Sequence, residues 1–170
     1  MEKYVLYDYE QWEENSELIR GGRVLMEPAP AMGHQRIATR LTTLFSNQLK
    51  DSSRCSVYQP LNYRIADDTV LQPDMLVVKG ESGGLYLDSL PVLVAEILSP
   101  STADRDRTVK FSLYESQGVF YYLIISPAAQ EVEIYQWEDG KYLLKTKGRD
   151  IRFTFDLAGD LVEIDFSQIW

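Results

Sequence analysis

Two acidic residues interrupt apolar segments that have the composition of buried strands. Glu96 lies within the apolar run of residues 92–98, and Asp74 directly precedes the apolar run of residues 75–78. A buried carboxylate is costly unless a hydrogen bond, a cation or a metal ion compensates it. At the same level of neighbouring strands, two carboxylates can bind one divalent cation, which activates a bound water and neutralises charge on a phosphate under attack. The alternative is that each acid caps a loop or pairs with an arginine, and the spacing leaves both interpretations open.

Lys110 is the candidate third member of this group. It lies one turn beyond Asp106, in the helix predicted to follow the Glu96 strand. A lysine there can orient an attacking water or stabilise the charge that develops on a phosphate. The alternative is a surface pair between Asp106 and Lys110, which contributes only about 0.3–0.5 kcal/mol. The spacing alone favours that alternative.

The apolar pattern also predicts the elements that must position these groups. Helical periodicity, caps and glycine stops predict helices over residues 8–14, 32–50 and 103–117. Apolar runs bounded by turn residues predict strands over residues 17–20, 23–27, 57–65, 70–78, 92–98, 119–125, 132–137, 142–146, 151–155 and 161–165. Turns at Gly21-Gly22 and Asp139-Gly140 predict hairpins, and residues 92–125 predict a parallel strand pair with a right-handed crossover. The expected fold class is α/β, a mixed β-sheet flanked by helices, with an N-terminal hairpin and C-terminal antiparallel strands.

Length and composition bound the class of protein. At 170 residues, with 45% hydrophobic and 25% charged residues, the chain has the size and composition of one globular domain, which we expect to span residues 1–170. No apolar run approaches the roughly 20 residues of a membrane span. No secretory leader is evident, and Cys55 alone can form neither an intramolecular disulfide nor a cysteine-based zinc site. We therefore expect a cytoplasmic protein without a membrane partner, and the absence of glycine-rich phosphate loops and GxSxG elbows argues against those enzyme classes.

Charge is distributed unevenly along the chain. The formal net charge is −9, which argues against a protein that coats DNA or an anionic membrane. Residues 31–66 carry five basic residues and one acid, whereas residues 67–100 carry one basic residue and six acids. A basic stretch beside an acidic one suits a phosphate-facing surface next to a metal site. Charge alone favours the simpler alternative, an ordinary acidic protein with one basic helix.

Several of these residues fall in a pattern that resembles a known family. The pattern comprises Pro73-Asp74, the segment EILSPST at residues 96–102, and then Asp106, Lys110, Tyr114 and Gly118-Val119. Upstream, ELI at residues 17–19 is similar to the family's YELIDG segment, and Pro28-Ala29-Pro30 followed by His34 is similar to its proline-rich turn and helix-start histidine. From about Tyr9 to Tyr135, the chain resembles the restriction endonuclease family often called Uma-two, of the PD-(D/E)XK nuclease superfamily.

This resemblance implies a restriction-endonuclease-like core with a magnesium-dependent phosphodiesterase site, in which Mn²⁺ can substitute. It implies that Asp74 and Glu96 are the signature acids and metal ligands, with Glu17 as a further metal-facing acid. Leu98 stands where the superfamily motif has lysine. Lys110 matches the family's lysine on the following helix, from which a long side chain can reach the end of the strand.

The resulting expectation is an enzyme, a Mg²⁺-dependent endonuclease that hydrolyses DNA phosphodiester bonds with Asp74, Glu96 and Lys110. Arg36 and Arg40 are expected to contact nucleic-acid phosphates. His34 either lies near the site, in contact with nucleic acid, or only caps its helix.

Two further expectations concern assembly and an alternative function. A homodimer is expected because two sites cleave two strands most simply, with residues 131–170 as the contact. The alternative function is a catalytically inactive binding or dimerisation module of the same fold. The net charge, Leu98 and the loss of two family acids at Tyr121 and Ser126 motivate it. We interpret that loss as an altered surface or subunit contact.

Overall fold

The helices of the protein are few, and strands account for more of the described residues than helices do. A computed structural model describes residues 3–26, 29–52, 54–80 and 83–170. The helical segments are α1 (Leu6–Tyr9), α2 (Met32–Leu49), α3 (Ala103–Arg105), a π-helical turn (Asp106–Lys110), α4 (Phe111–Gln117) and a final 3-10 turn (Phe166–Gln168). None of the helices within these ranges has the length and hydropathy that crossing a bilayer requires.

The strands form three sheets. In chain order they are β1 (Ser16–Ile19), β2 (Gly22–Leu25), β3 (Cys55–Tyr58), β4 (Asn62–Ala66), β5 (Thr69–Leu71), β6 (Met75–Lys79), β7 (Tyr86–Leu87), β8 (Leu93–Ile97), β9 (Tyr121–Ser126), β10 (Glu131–Glu138), β11 (Lys141–Gly148), β12 (Arg152–Leu157) and β13 (Asp160–Asp165). The central sheet has the order β11-β10-β9-β8-β6-β3, the small sheet has the order β2-β1-β5-β4-β7, and β12 pairs with β13. Because β8 and β9 are parallel while the other pairs of the central sheet are antiparallel, the predicted mixed sheet is confirmed.

The N-terminal hairpin is present, but its turn lies one residue earlier than predicted. Ile19 pairs with Gly22, so the two-residue loop is Arg20-Gly21 and Gly22 belongs to β2. Both loop residues have positive φ angles, 51° and 81°, as a tight hairpin turn requires. The predicted ends of this region at Glu27 and Pro28 lie outside the described residues. The predicted helix of residues 8–14 is replaced by the shorter and earlier α1.

Prolines divide two of the predicted strands between different sheets. The strand predicted over residues 57–65 is interrupted around Pro60, giving β3 in the central sheet and β4 in the small sheet. The strand predicted over residues 70–78 is interrupted at Pro73, giving β5 in the small sheet and β6 in the central sheet. Proline cannot donate a ladder hydrogen bond, so it ends pairing at these points. The chain therefore passes to the small sheet and back, and the return brings Asp74 to the start of β6.

The central sheet is covered on both faces. Along β8, Leu93, Ala95 and Ile97 pack into the cluster formed with α2 and the β12–β13 hairpin. Val94 points to the opposite face and packs into the cluster formed with α4 and the small sheet. This burial on both sides accounts for the nearly continuous apolar sequence of the strand. By strict alternation, Glu96 points to the same face as Val94.

Helix α2 lies where its apolar periodicity predicts. Ile37, Leu41 and Phe45 are buried against the central sheet, on the face that the sequence identifies. The helix begins at Met32, so its first turn carries His34.

Candidate active site

A cavity of about 400 Å³ brings the predicted groups together. His34, Asp74, Glu96 and Lys110 all line it. Met75 of β6 pairs with Ala95 of β8, and continuing this antiparallel register by one residue places Asp74 level with Glu96. Residues from α2, the start of β6, β8 and the helical segment after β8 therefore meet at one opening.

Lys110 lies at the centre of three carboxylates. Its Nζ is 2.8 Å from Glu17 Oε1, 3.0 Å from Glu96 Oε1 and 3.5 Å from Asp106 Oδ1. Lys110 is only 1% exposed, and Asp106 is also buried. The alternative of a surface pair between these two residues, which spacing alone favours, is therefore wrong. The helix turns this face inward onto Glu17 of the small sheet and Glu96 of the central sheet.

A π-helical turn gives the helix this inward face. The sequence predicts one helix over residues 103–117, whereas residues Asp106–Lys110 form a wider turn between α3 and α4. Such turns insert one residue and are frequent at functional sites. Asp106, Lys110 and Tyr114 are all buried on the face toward the sheets. The Tyr122 hydroxyl donates a hydrogen bond of 2.9 Å to the Asp106 carbonyl, which supports the widened turn from β9.

Glu96 is held in place by two donors. Lys110 Nζ and the Tyr114 hydroxyl, at 3.0 and 2.8 Å, both contact its Oε1 atom. Tyr114 is fully buried. The sequence pattern includes Tyr114 but assigns it no role, and its position one turn after Lys110 is the signal that identifies it.

The cluster contains more carboxyl groups than cationic groups. Burial raises the pKa of Glu96 well above its usual value; Lys110 opposes this, and Asp106, Asp74 and Glu17 add to it. Burial also raises the pKa of Asp106 against the effect of Lys110. Burial disfavours the charge on Lys110, but the facing carboxylates outweigh it and raise the pKa of the amine. Lys110 is therefore protonated throughout the physiological range, and it cannot serve as a base.

Asp74 is tied to both the central sheet and α2. Its Oδ2 accepts a hydrogen bond of 2.7 Å from the Ile97 backbone N–H and lies 3.3 Å from His34 Nε2. Burial lowers the pKa of His34, but the hydrogen bond and charge of Asp74 outweigh it and raise the pKa overall. The structure thus places His34 beside the predicted site, while the N-cap position of α2 is Ala31.

Glu17 contacts Lys110 without lining the cavity. It is completely buried, and its Oε1 accepts a hydrogen bond of 2.9 Å from the Gln72 backbone N–H in addition to contacting Lys110. Arg105 Nε lies 3.6 Å from Glu17 Oε2. The residues that line the cavity do not include Glu17. Its described contacts are thus to donors and cations of the protein, and the sequence gives no indication of the part played by Arg105.

Arg36 and Arg40 lie apart from this group. Both are exposed on α2, and neither lines the cavity. Arg40 donates a hydrogen bond to the backbone carbonyl of Trp170. Their contact with nucleic acid stays a prediction.

The positions at which the chain departs from the family pattern have different surroundings. Leu98 lines the cavity. Tyr121 is 4% exposed, and its ring packs 5.1 Å from that of Phe155 in the core. The interpretation of Tyr121 as a changed surface is therefore wrong, since the residue fills the interior, whereas Ser126 is partly exposed at the end of β9.

The donor set at the cavity suits a hard divalent cation bound by few protein ligands. In the part of the chain that the structure describes, no group of three or more His, Cys, Asp or Glu side chains is arranged to hold a metal ion. Asp74, Glu96 and Asp106 line one cavity, and the first two are the predicted metal ligands. Mg²⁺ usually binds through one or two carboxylates and completes its shell with water and substrate phosphate. These two predicted ligands thus fit Mg²⁺, and they do not fit a fully protein-ligated site.

The arrangement of sheets and helices has a counterpart among solved structures. The chain matches the crystal structure of a putative nuclease belonging to DUF820 from Anabaena variabilis with a TM-score of 0.79, at 19% identity, over 98% of this chain and 97% of that chain. With the mixed central sheet, this match shows that the protein has the restriction-endonuclease-like fold predicted from its sequence.

The chain belongs to the Uma2 family, described as "Putative restriction endonuclease", whose model matches residues 3–154. Uncharacterized protein slr1290 of Synechocystis sp. is 31% identical over 146 residues, covering 81% of this chain and 76% of that protein. Uncharacterized protein sll1609 of the same organism is 29% identical over 164 residues, covering 93% and 87%. The resemblance stated from the sequence is thereby confirmed.

Proposed function

We propose that the protein is a Mg²⁺-dependent endonuclease that hydrolyses phosphodiester bonds of DNA at the cavity lined by Asp74, Glu96 and Lys110. One observation carries the proposal: these three residues, distant in sequence, line one cavity of about 400 Å³. Membership of a family described as restriction endonucleases supports it. The volume lies within the usual range for a ligand site.

Asp74 and Glu96 would hold the metal ion, with Mn²⁺ able to replace Mg²⁺. Bound there, the ion would neutralise phosphate charge and lower the pKa of a water molecule. Asp74 is oriented for this by the Ile97 N–H and Glu96 by Tyr114 and Lys110. Such fixed ligands incur little reorganisation when substrate arrives.

Lys110 would act as a fixed cation. Since its amine stays protonated, its role is to donate hydrogen bonds to the attacking water or to a phosphate oxygen. Glu17 and Asp106 also contact the amine. We therefore assign Glu17 to positioning Lys110 rather than to binding metal.

Nucleic-acid contact would also involve α2. His34 lines the cavity, and Arg36 and Arg40 are exposed on the same helix, on a different side from His34. Two arginines one turn apart can contact successive phosphates, and such contacts position a strand without reading its bases.

A second candidate function is a nuclease-fold binding module without activity. The observation that favours it is the position of Lys110, which already satisfies three carboxylates that would otherwise demand a cation. This candidate predicts neither metal binding nor cleavage.

Asp74→Ala separates the two candidates. We expect wild type to nick supercoiled plasmid DNA in Mg²⁺ or Mn²⁺, and Asp74→Ala to lose about 100-fold or more of that rate, since metal-ion stabilisation is worth several kcal/mol. Asp88→Ala is the matched control, because Asp88 is an exposed aspartate paired with Arg64, away from the cavity. Urea unfolding checks that both variants fold.

Equal cleavage by wild type and Asp74→Ala contradicts the proposed site. Calorimetry with Mn²⁺ supplies the second readout, in which wild type is expected to bind at millimolar concentration and Asp74→Ala to bind more weakly. Wild-type protein that neither cleaves DNA nor binds Mn²⁺ supports the binding module instead.

A further inference from the structure

A second cavity, of about 390 Å³, adjoins the first. Asn15, in the segment between α1 and β1, lines both cavities. The remaining walls of the second cavity come from the α1 region and from strands β1, β4 and β7 of the small sheet. A molecule held in the first cavity thus has a second recess beside it.

Aromatic rings form part of the second cavity. Tyr9, Trp12 and Tyr86 line it, and all three are partly buried. The ring centroids of Tyr9 and Trp12 are 5.4 Å apart, and those of Tyr9 and Tyr86 are 6.4 Å apart. Such rings offer flat apolar faces on which an unpaired nucleobase can stack.

A row of amide side chains connects the two cavities. Asn15 Nδ2 donates to Gln72 Oε1 at 3.3 Å, and Gln72 Nε2 donates to Asn62 Oδ1 at 3.1 Å. Gln72 lines the first cavity and Asn62 the second. Amides carry both donors and acceptors, which is the chemistry that pairs with the edge of a base.

The charge of the second cavity determines whether the base or the phosphate of a nucleotide is favoured there. Glu10, Glu13 and Glu14 line it, and Glu14 is neutralised by Arg23, 2.6 Å away. Arg23 also lies 4.6 Å over the Trp12 ring. Glu10 already accepts a hydrogen bond from the Tyr86 hydroxyl. Glu10 and Glu13 both repel a phosphate, but Glu13 can accept a hydrogen bond from an exocyclic amino group, as carboxylates do from cytosine. The recess therefore favours an uncharged, amino-bearing base over backbone.

We propose that the second cavity binds one unpaired nucleobase with an exocyclic amino group, adjacent to the phosphate held in the first cavity. This inference rests on the proposed function, and it names the substrate class as single-stranded or locally unpaired DNA. Adenine, cytosine and guanine carry the amino group, and thymine lacks it.

Equilibrium binding without cleavage tests the inference. Fluorescence anisotropy would follow labelled eight-nucleotide strands of dC, of dT and of an abasic backbone, with full-length wild-type protein in EDTA at constant ionic strength. Stacking of one base changes affinity by about 5- to 140-fold. We expect dC to bind more tightly than the abasic strand by a factor in this range, with dT between them.

A pair of tyrosine variants locates the effect. Tyr86→Ala removes a lining ring and is expected to abolish the preference for dC over the abasic strand. Tyr7→Ala is the matched control, because Tyr7 lies on α1, is 72% exposed and does not line the cavity. Thermal unfolding identifies a variant that fails to fold, and the wild-type comparison of strands decides the question in that case.

The outcomes separate this inference from the proposed function. Equal binding of dC and abasic strands by wild type overturns the base pocket, whether or not plasmid DNA is cleaved. A dC preference that survives in Tyr86→Ala also overturns it. A third outcome is that base-dependent binding is lost in Tyr86→Ala while wild type does not cleave DNA in Mg²⁺ or Mn²⁺. That outcome supports the base pocket and contradicts the proposed nuclease function.

Discussion

Replacing Lys110 by methionine is expected to leave three buried carboxylates without their shared cation. The side chains of Glu17, Glu96 and Asp106 are at most 3% exposed, and all lie within 3.5 Å of Lys110 Nζ. Methionine keeps most of the apolar stem and removes the charge. Losing one partner of a buried ion pair costs about 3–5 kcal/mol. Because a whole domain is stable by only about 5–15 kcal/mol, this loss is a large fraction of the total.

The loss should depend on pH. Burial raises the pKa of Glu96 and Asp106, Lys110 opposes that rise, and its removal raises both values further. A carboxyl with a raised folded-state pKa contributes stability below its unfolded value, about 4.3 for Glu and about 3.9 for Asp. This contribution is lost as pH rises through the folded pKa. The deficit of Lys110→Met relative to wild type should therefore be smaller at pH 5 than at pH 8.

Urea unfolding at both pH values measures this deficit. Lys145→Met is the matched control, because Lys145 lies 2.8 Å from Glu138 with both side chains 36% exposed, and such a surface pair contributes at most about 1 kcal/mol. Adding Glu17→Gln to Lys110→Met should restore part of the stability by removing one uncompensated charge. Equal losses for Lys110→Met and Lys145→Met, or a deficit that does not grow with pH, would refute the reasoning.

Two further predictions concern individual hydrogen bonds. Tyr114→Phe removes the donor 2.8 Å from Glu96 Oε1 and should cost about 1.5–3 kcal/mol in urea unfolding; a loss no larger than that of Tyr7→Phe, at a 72% exposed tyrosine, would contradict it. Burial raises the pKa of Glu133, but hydrogen bonds from Arg107 and Tyr135 outweigh it and lower the pKa. The stability that Glu133 provides over Glu133→Gln should be present at pH 7 and lost as pH falls through the lowered pKa, so an equal difference at pH 7 and pH 3 would count against it.

The position of Glu96 was predictable because strand alternation is local. An acid inside a continuous apolar run must lie in a covered strand, and its neighbours Ala95 and Ile97 fix which face it takes. The parallel pairing of β8 and β9 followed from the short strand–helix–strand connection. These relations involve residues close in sequence.

The burial of Asp106 and Lys110 was not predictable from the same local pattern. Charged residues one turn apart usually lie on an exposed helix face. Two contacts turn them inward, one to Glu17 from a distant strand and one to Tyr122, whose hydroxyl supports the π-helical turn. Neither contact can be recognised from the apolar periodicity of residues 103–117.

The division of strands between two sheets was only partly visible in the sequence. Pro60 and Pro73 marked the interruptions, but the sheet that each half joins depends on pairing with remote strands. The C-terminal segment predicted as a dimer contact contains core residues such as Phe155 and Ile164, while Leu144 on the edge strand β11 is 50% exposed. Dimerisation stays a prediction.

The ammonium group of Lys110 links two sheets of this molecule. Glu17 belongs to the small sheet, Glu96 to the central sheet, and Lys110 contacts both within 3.0 Å. Separating the two sheets would leave a charge of the Lys110 cluster unpaired in apolar surroundings. This costs far more free energy than sliding apolar surfaces past each other. We therefore expect the width of the first cavity to stay constant during binding. Any conformational change should then occur in the incoming nucleic-acid strand rather than in the protein.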